Sequence, residues 1–208
     1  MTAPLGSLEV VERGERRVTL TRRTRETEIT VSLVLDGAGA SSIVTGIGFY
    51  DHLLTSLAHH GLFDLSIRAS GDLEVDEHHT VEDVALVLGA AFSEALGDRA
   101  GINRFGDGAV PMDESLATAV VDVGGRPYAV VDLPFRSLQV GALPLPLIEH
   151  ALESFARGGG ITLHVRGAGR NDHHLAEAAI KALGRALRVA CERDPGRPGV
   201  ASTKGAPG

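Results

Sequence analysis

The feature that most constrains the fold of this chain is a long unit that occurs twice. The phrase His-His-Thr-Val-Glu at residues 78–82 returns as His-His-Leu-Ala-Glu at residues 173–177, and each copy opens an amphipathic helical pattern. Before each copy lies an acid–histidine pair in another helical pattern, at residues 51–52 and 149–150, followed by a short alternating strand. The order helix, strand, helix therefore recurs and predicts two duplicated halves.

Alternating segments supply strands to each half. Residues 29–35 alternate apolar and polar side chains, and residues 43–47 are predicted as a further strand. In the second half, residues 116–123 and 128–133 are predicted to pair with each other around a Gly-Gly-Arg-Pro turn, and residues 134–146 are predicted as a loop. The sequence thus predicts an α+β fold of two duplicated halves, each a mostly antiparallel β-sheet with two helices packed on one face.

The expected boundaries follow the repeat. Residues 17–98 form the first half-repeat and residues 99–195 the second. Residues 1–16 are polar and charged, and we expect a flexible N-terminal segment. Residues 196–208 form a tail rich in Gly and Pro, a composition typical of disorder. Asp172 is predicted as the N-cap of the last helix.

Composition narrows the function classes. The 43% hydrophobic and 23% charged residues of this 208-residue chain are typical of a globular protein that buries a core. The net charge of -7 argues against a nucleic-acid partner, and a single cysteine, Cys191, excludes an internal disulfide and a Cys-rich zinc site. No signal peptide and no apolar run of roughly 20 residues are present, so we expect a cytoplasmic protein without a membrane partner.

The two His-His-x-x-Glu phrases predict metal chemistry. Residues three or four apart share a helix face, so each histidine can act together with the glutamate that follows. Adjacent histidines point about 100° apart and cannot easily hold one ion together, so two such helices provide parts for two shared ions. Imidazole and carboxylate without thiolate suit Mn, Fe, Co, Ni or Zn, and mixed ligation with open positions favours Mn(II) or Fe(II).

Several residues are candidates for binding an anion. Arg104 and Arg126 are of interest because a guanidinium binds phosphate bidentately, although an ordinary solvated arginine is the simpler interpretation from spacing alone. Ser202 and Lys204 in the tail offer a hydroxyl and an ammonium group. Glu26 carries no intrinsic mark of catalysis.

With these residues in view, the chain resembles the imidazoleglycerol-phosphate dehydratase family, in its monofunctional form because no phosphatase domain precedes it. The resemblance extends roughly from Glu15 to Gly205. The matching stretches are residues 25–27, 49–52, 68–72, 78–83, 101–107, 111–114, 125–128, 149–150, 173–174 and 202–205.

The resemblance implies a hydro-lyase of histidine biosynthesis that dehydrates imidazole glycerol phosphate to imidazole acetol phosphate through an imidazolate and a diazafulvene-like intermediate. It implies two Mn(II) ions per active site, with other divalent transition metals as alternatives, and a homo-oligomer of 24 subunits with active sites at subunit interfaces.

The resemblance also assigns site residues. The implied metal ligands are His52, His78, His79, Glu82, His150, His173, His174 and Glu177. By the pseudo-twofold relation of the halves, each helix should lend one histidine of its pair to each ion. The implied proton carrier is Glu26, assisted by Glu177. The implied phosphate-binding residues are Arg104, Arg126, Lys181, Ser202 and Lys204.

Two interpretations from other classes remain open at this point. A dinuclear metal hydrolase would use the same ligands to activate water on a phosphate ester and would release phosphate. A non-catalytic metal-storage shell would explain the histidines and an assembly, but it would leave the paired arginines and the Ser-x-Lys tail without a role.

Overall fold

The computed structural model describes residues 7–205, which form eleven strands and four helices. The first half contains β1 (Ser7–Gly14), β2 (Arg17–Arg23), β3 (Thr27–Val34), β4 (Ser41–Val44), α1 (Gly48–Gly61), β5 (Asp64–Gly71) and α2 (His78–Leu96). The second half contains β6 (Phe105–Met112), β7 (Ser115–Asp122), β8 (Tyr128–Asp132), β9 (Gln139–Val140), β10 (Leu143–Pro144), α3 (Pro146–Gly159), β11 (Thr162–Ala168) and α4 (Asp172–Cys191).

The two main sheets have the same topology. The first has the order β1-β2-β3-β5-β4 and the second the order β6-β7-β11-β8, so that β1 is the one addition in the first half. In each sheet the last two strands of this order pair in parallel and all other neighbours pair antiparallel. The parallel pairs arise because one helix, α1 or α3, connects the two strands as a crossover. The predicted α+β fold of two duplicated, mostly antiparallel halves is confirmed.

The helices lie between the sheets. Strands β3 and β7 alternate buried and more exposed side chains, and the buried ones, such as Val31 and Ala119, face α2 and α4. Helix α1 packs on α4, and α3 packs on α2, so each half contacts the other mainly through helices. Glycine allows these close approaches, since a Cβ on Gly89 would lie 2.3 Å from the Phe155 carbonyl oxygen and one on Gly184 would lie 2.8 Å from that of Leu57.

Some local expectations were wrong. Strands β7 and β8 do not pair with each other, because β11 lies between them. The backbone N–H groups of Gly125 and Tyr128 donate to the carbonyls of Gly160 and Ile161, and these bonds direct β8 to β11. The segment 134–146 contains the small β9–β10 hairpin rather than only loop.

The N-terminal segment also differs from the expectation. Residues 7–14, expected to be flexible, form β1 and pair antiparallel with β2, with an irregularity between Val10 and Glu12. An edge strand tolerates the charged residues that suggested a loose segment, because one of its faces and one of its edges stay in water. Residues 1–6 and 206–208 lie outside the described residues. Among the helices of residues 7–205, none is long and apolar enough to cross a bilayer.

Candidate metal centres and anion pocket

Three groups of three potential metal ligands occur in residues 7–205. Two of them, called the sets below, lie between helices, and each takes side chains from both halves. The third, Asp113, Glu114 and His174, lies within the second half. The α1–α4 set consists of His52, His173 and Glu177. The α2–α3 set consists of His78, Glu82 and His150. In each set the first histidine of a His-His phrase and its glutamate, four residues on, share a helix face and meet the single histidine of the opposing helix.

In the α1–α4 set, both imidazoles point at one carboxylate oxygen. The Nε2 atoms of His52 and His173 lie 3.1 and 2.9 Å from Glu177 Oε1. The ammonium of Lys181 lies 2.6 Å from the other oxygen, Oε2. Burial alone would raise the pKa of Glu177, but hydrogen bonds from Lys181 and His52 outweigh burial and hold this pKa at about 2. The carboxylate is therefore ionised, as a metal ligand must be.

The α2–α3 set repeats this arrangement with longer distances. The Nε2 atoms of His150 and His78 lie 3.6 and 3.9 Å from Glu82 Oε2, and Arg157 donates to Oε1 at 2.6 Å. Burial opposes ionisation of Glu82, yet Arg157 and His150 lower its pKa. His150 Nε2 is buried and has no hydrogen-bond partner among residues 7–205. A buried ring nitrogen without a partner, facing a carboxylate, fits a ligand atom for a cation.

The second histidine of each phrase points elsewhere. His79 Nδ1 lies 3.0 Å from Asp72 Oδ2, and His174 Nδ1 lies 3.0 Å from Glu114 Oε2. The hydrogen bond to Asp72, aided by the charge of nearby Glu26, raises the pKa of His79. The bond to Glu114 likewise raises the pKa of His174 and holds the pKa of Glu114 at about 2. Adjacent histidines thus face different surroundings, as helix geometry requires.

Local contacts fix the first turns that carry these residues. The Asn171 side chain accepts hydrogen bonds from the N–H groups of His173 and His174, so Asn171 is the N-cap of α4, and the expectation of Asp172 there was wrong. Asp172 is instead buried and accepts from the backbone of the 136–137 segment, which anchors the loop before α3.

The start of α2 is held by side chains from the first sheet and the preceding loop. The Asp76 carboxylate accepts from the His78 N–H at 2.8 Å. Asp83, which follows Glu82, is buried and pairs with Arg22 and with the Thr27 hydroxyl. Because Thr27 ends the turn that carries Glu26, this contact ties the turn to the helix of the His-His phrase.

A separate cationic pocket of about 320 Å³ lies beside the start of β6. It is lined by Arg104, Arg126 and residues 201–204, so the structure brings four of the five predicted phosphate-binding residues together. Arg104 donates to both carboxylate oxygens of Asp122 at 2.7 and 2.9 Å and to the Ala201 carbonyl at 2.5 Å. Burial opposes ionisation of Asp122, but Arg104 lowers its pKa. Hereafter this pocket is called the anion pocket.

The fifth residue, Lys181, does not lie in the anion pocket of its own chain. It pairs with Glu177 and lies near the sulfur of Met112. The anion pocket is instead close to the end of α4, because the Arg104 N–H donates to the Ala190 carbonyl at 2.9 Å. At about 1.5 Å of rise per residue, this end of α4 lies roughly 20 Å from Glu177. Within one chain, the anion pocket and the α1–α4 set are therefore far apart.

Sequence reasoning missed the charged residues that contact the histidines and glutamates of the two phrases and that hold Arg104. Asp72 and Glu114 come from loops that meet the histidines only in the folded chain, and no spacing in the sequence indicates them. Arg157 had a detectable signal, because it lies seven residues after His150 and therefore returns to the same face of α3. Asp122, which accepts two hydrogen bonds from Arg104, is the last residue of β7 and had no such signal.

Comparison with known proteins extends this description. The family model described as imidazoleglycerol-phosphate dehydratase matches residues 45–187. The dehydratase of Methanoculleus marisnigri is 56% identical over 184 residues, covering 88% of this chain and 95% of the relative. The dehydratase of Chloroflexus aggregans is 54% identical over 192 residues, covering 91% and 94%.

Solved structures agree with the sequence comparison. The crystal structure of the Pyrococcus furiosus dehydratase in complex with (S)-C348 matches with a TM-score of 0.78 and 37% identity, covering 89% of this chain and 99% of that one. The enzyme of Staphylococcus aureus matches with a TM-score of 0.74 and 34% identity, covering 83% and 97%.

Together, the fold, the two histidine–glutamate sets and these matches define the class of the protein as a metal-dependent lyase. The chain belongs to the imidazoleglycerol-phosphate dehydratase family. The function of this family is a dehydration step of histidine biosynthesis, carried out on a small-molecule substrate.

Proposed function

We propose that this protein dehydrates imidazole glycerol phosphate to imidazole acetol phosphate in the cytoplasm, using two Mn(II) ions per active site. The observation that carries the proposal is the presence in one chain of two matching imidazole–carboxylate sets and a separate cationic pocket. The substrate has an imidazole ring at one end and a phosphate at the other, and these two kinds of site suit its two ends.

The residues of the two sets fit divalent metal ions. Each set offers two imidazole nitrogens and an ionised carboxylate, a mixed donor set that suits Mn(II). We assign His52, His173 and Glu177 to one ion and His78, Glu82 and His150 to the other. His79 and His174 then complete the sets of other copies of the chain. When bound, the ions would act as Lewis acids on the ring nitrogens and orient the substrate.

The separation of the two kinds of site supports an active site built from several subunits. The substrate places five single bonds between its ring and its phosphorus atom, and five bonds of about 1.5 Å reach less than about 8 Å. That reach falls short of the roughly 20 Å between the α1–α4 set and the anion pocket along α4. We therefore propose that the anion pocket of one subunit faces a metal set of another, within a 24-subunit shell.

The proposed phosphate site combines several kinds of donor. Arg104, Arg126 and Lys204 supply positive charge, and Ser202 supplies a hydroxyl. Asp122 holds Arg104 through two hydrogen bonds, which preorganises its guanidinium. Lys181, through its place beside the α1–α4 set, would reach the phosphate that another subunit holds.

Glu26 is the proposed proton carrier. The imidazolate form of the ring expels hydroxide from the adjacent carbon to give a diazafulvene-like intermediate. The hydroxide takes up the proton that the ring first lost and leaves as water. Glu26 then removes the proton of the next carbon, a proton returns to the ring, and the resulting enol becomes the ketone. The Glu26 side chain is exposed, its carboxylate has no hydrogen-bond or ion-pair partner in the described part of the chain, and it lies near His79. The Glu26 backbone N–H donates to the Thr24 hydroxyl, which fixes the turn. Glu177, ionised beside Lys181, fits the role of a ligand better than that of a proton carrier.

The test is turnover of imidazole glycerol phosphate by metal-stripped protein, with and without added Mn(II). We expect the ketone only when metal is present, and no free phosphate. Release of phosphate would instead support a dinuclear hydrolase. Stoichiometric Mn(II) binding without any product would support a storage role.

A further inference from the structure

We infer that Asp72 and Glu114 are positioning residues that fix the imidazoles of His79 and His174, and that Asp72 thereby leaves Glu26 free for proton transfer. The inference rests on the proposed function, since it takes His79 and His174 as metal ligands and Glu26 as the proton carrier. Neither Asp72 nor Glu114 is predicted to touch the ion or the substrate.

Each of the two carboxylates contacts the same atom of its histidine. Asp72 and Glu114 both lie 3.0 Å from Nδ1 of their histidine, at the edge of the ring next to the main chain. A carboxylate accepts, so Nδ1 of each ring carries the proton. The neutral ring then has its lone pair on Nε2, which has no partner among residues 7–205. A histidine held in this way presents Nε2 as a ligand atom in one fixed direction.

The two halves supply these carboxylates from different places in the fold. Glu114 lies in the turn between β6 and β7. The topologically equivalent turn in the first half, between β2 and β3, carries Glu26. Glu114 lies 3.0 Å from Nδ1 of His174, the second histidine of its half. The turn of Glu26 is tied to the helix of the first His-His phrase through the contact of Thr27 with Asp83. Glu26 and Glu114 are therefore structural counterparts.

The two halves differ in the loop that precedes the helix of the His-His phrase. Between the end of β5 and the start of α2, residues 72–77 form a longer connection than residues 169–171 between β11 and α4. The longer loop supplies Asp72, whereas the shorter loop contains no acid and supplies the cap Asn171. Asp72 performs in the first half the contact that Glu114 performs in the second. Consequently Glu114 holds the histidine of its half, with Asp113 3.8 Å from the same Nδ1, whereas within residues 7–205 the Glu26 carboxylate of the equivalent turn has no partner.

The experiment measures Mn(II) affinity of the metal-stripped, full-length protein by titration calorimetry. We expect D72A and E114A to bind Mn(II) about 10- to 100-fold more weakly than the unaltered protein, the effect typical of removing the partner of a ligand histidine. E74A is the matched control for D72A, because Glu74 is exposed in the same loop and has no partner in the described range 7–205. E74A should bind Mn(II) normally, and so should E26Q.

Conservative variants separate positioning from general structure. In D72N and E114Q the amide oxygen still accepts from Nδ1, so we expect Mn(II) affinity to recover most of the loss seen with alanine. Recovery without a change in thermal unfolding temperature supports positioning. If D72N and E114Q are as weak as the alanine variants, or if D72A and E114A bind Mn(II) normally, the inference is wrong.

The same titration keeps this inference separate from the proposed function. Failure of the unaltered protein to bind Mn(II) would remove the proposed metal site itself. Normal binding by the unaltered protein and by all variants would leave the proposed function standing and remove only the positioning role. A loss of Mn(II) affinity in E26Q equal to that in D72A would contradict the division of labour between the two carboxylates.

Discussion

The two halves of this chain share one topology, yet they contribute differently to the candidate active site. Arg16, before β2, and Arg104, before β6, are counterparts with positive φ angles of 52° and 70°. Each donates two hydrogen bonds, of 2.7 and 2.9 Å, to an aspartate, Asp36 or Asp122. Even their carbonyls accept equivalent bonds, from Leu35 and from the residue after Asp122. The scaffold of an arginine pocket is therefore duplicated.

The charges around the two pockets differ. Beside Arg16 lie Arg188, Asp36 and Glu192, so acids balance the cations. Beside Arg104 lie two further cations, Arg126 and Lys204, with Asp122 as the counter-charge. The excess of positive charge comes from the Gly-Gly-Arg-Pro turn and the C-terminal tail, which have no counterpart in the first half. Duplication of the backbone thus preserves the geometry of the two pockets, while a few added side chains give the second pocket its excess of positive charge.

The largest expected effect on turnover comes from changing the two metal sets, to which both halves contribute. H52A and H150A each remove the single histidine that one helix gives to a metal set. Because a metal ion stabilises developing charge by several kcal/mol, we expect each variant to lower kcat/KM by about 1000-fold or more. Steady-state kinetics with a count of bound Mn(II) tests this, with H164A, exposed on β11, as the control. A large effect in one variant and none in the other would break the equivalence of the two sets.

The next largest effect concerns the turn carboxylates Glu26 and Glu114, and we expect a large loss of kcat from the first-half turn only. E26Q should lower kcat by about 100- to 10,000-fold, the usual contribution of a positioned general base, without a large change in KM. Its structural counterpart E114Q should retain most of the turnover, since Glu114 already accepts from His174. Comparison of kcat for the two variants at saturating Mn(II) decides this. Equal losses would mean that both turns carry catalytic carboxylates.

The comparison of the arginine pockets predicts a smaller effect. R104A removes a charged donor to phosphate, so we expect KM for the substrate to rise about 10- to 100-fold. R16A should leave KM unchanged, because Arg16 lies outside the anion pocket. It should lower the free energy of unfolding by about 1–2 kcal/mol, because the Arg16 guanidinium bonds Asp36 and the Cys191 carbonyl. Kinetics and urea unfolding of both variants test this. A raised KM in R16A would show that the first-half pocket also takes part in binding.

Truncation after Gly199 tests the part of the anion pocket that the first-half pocket lacks. It removes Ser202 and Lys204 from the anion pocket and leaves both metal sets in place. We expect turnover to be lost while Mn(II) affinity is unchanged. Calorimetry and product formation on the same preparation distinguish this from loss of the fold, and unaffected turnover would remove the tail from the site.

The smallest expected effect is a difference in acid stability. An unperturbed aspartate has a pKa near 3.9, and in the folded protein the pKa values of Asp36 and Asp122 both lie below it. Each aspartate–arginine pair therefore stabilises the protein above about pH 4, and this stabilisation is lost as the pH falls through the folded pKa. The Asp122 side chain is 14% exposed and that of Asp36 is 59% exposed, so water screens the Arg16–Asp36 pair more strongly than the Arg104–Asp122 pair. Between pH 5 and pH 2, the free energy of unfolding should therefore fall less steeply in D122N than in the unaltered protein, and the difference should be larger than for D36N. Urea unfolding curves at several pH values measure this.

Much of the fold could be predicted from the sequence because the signals were local. Helical periodicity and the repeated phrases predicted two halves with two helices each, and the structure confirms this architecture. The pairing of β7 with β8 was wrong because proximity in sequence favoured a hairpin, whereas the bonds of Gly125 and Tyr128 to the end of α3 select β11 as the partner. Strand order is a long-range property, and a turn sequence alone does not determine it.

In the candidate site, too, local features could be predicted and long-range contacts could not. The spacing of the His-His-x-x-Glu phrases indicated which side chains share a helix face, and the structure gathers them into two sets. The roles of Asp72 and Glu114 could not be predicted, since each comes from a different loop of its half. The resemblance to a family indicated Glu26, but the reason why this carboxylate is free lies in the length of the loop at residues 72–77.

The packing of α1 on α4 and of α3 on α2 has a consequence for how such a chain can change over time. Every metal set is completed by a helix from the opposite half, so a half-length chain that dimerised about a twofold axis would build the same set twice. Such a dimer would be obliged to use identical loops on both sides. Joining the two halves in one polypeptide removes that constraint, so that the loops of the two halves can differ in length and charge, as residues 72–77 and 169–171 do.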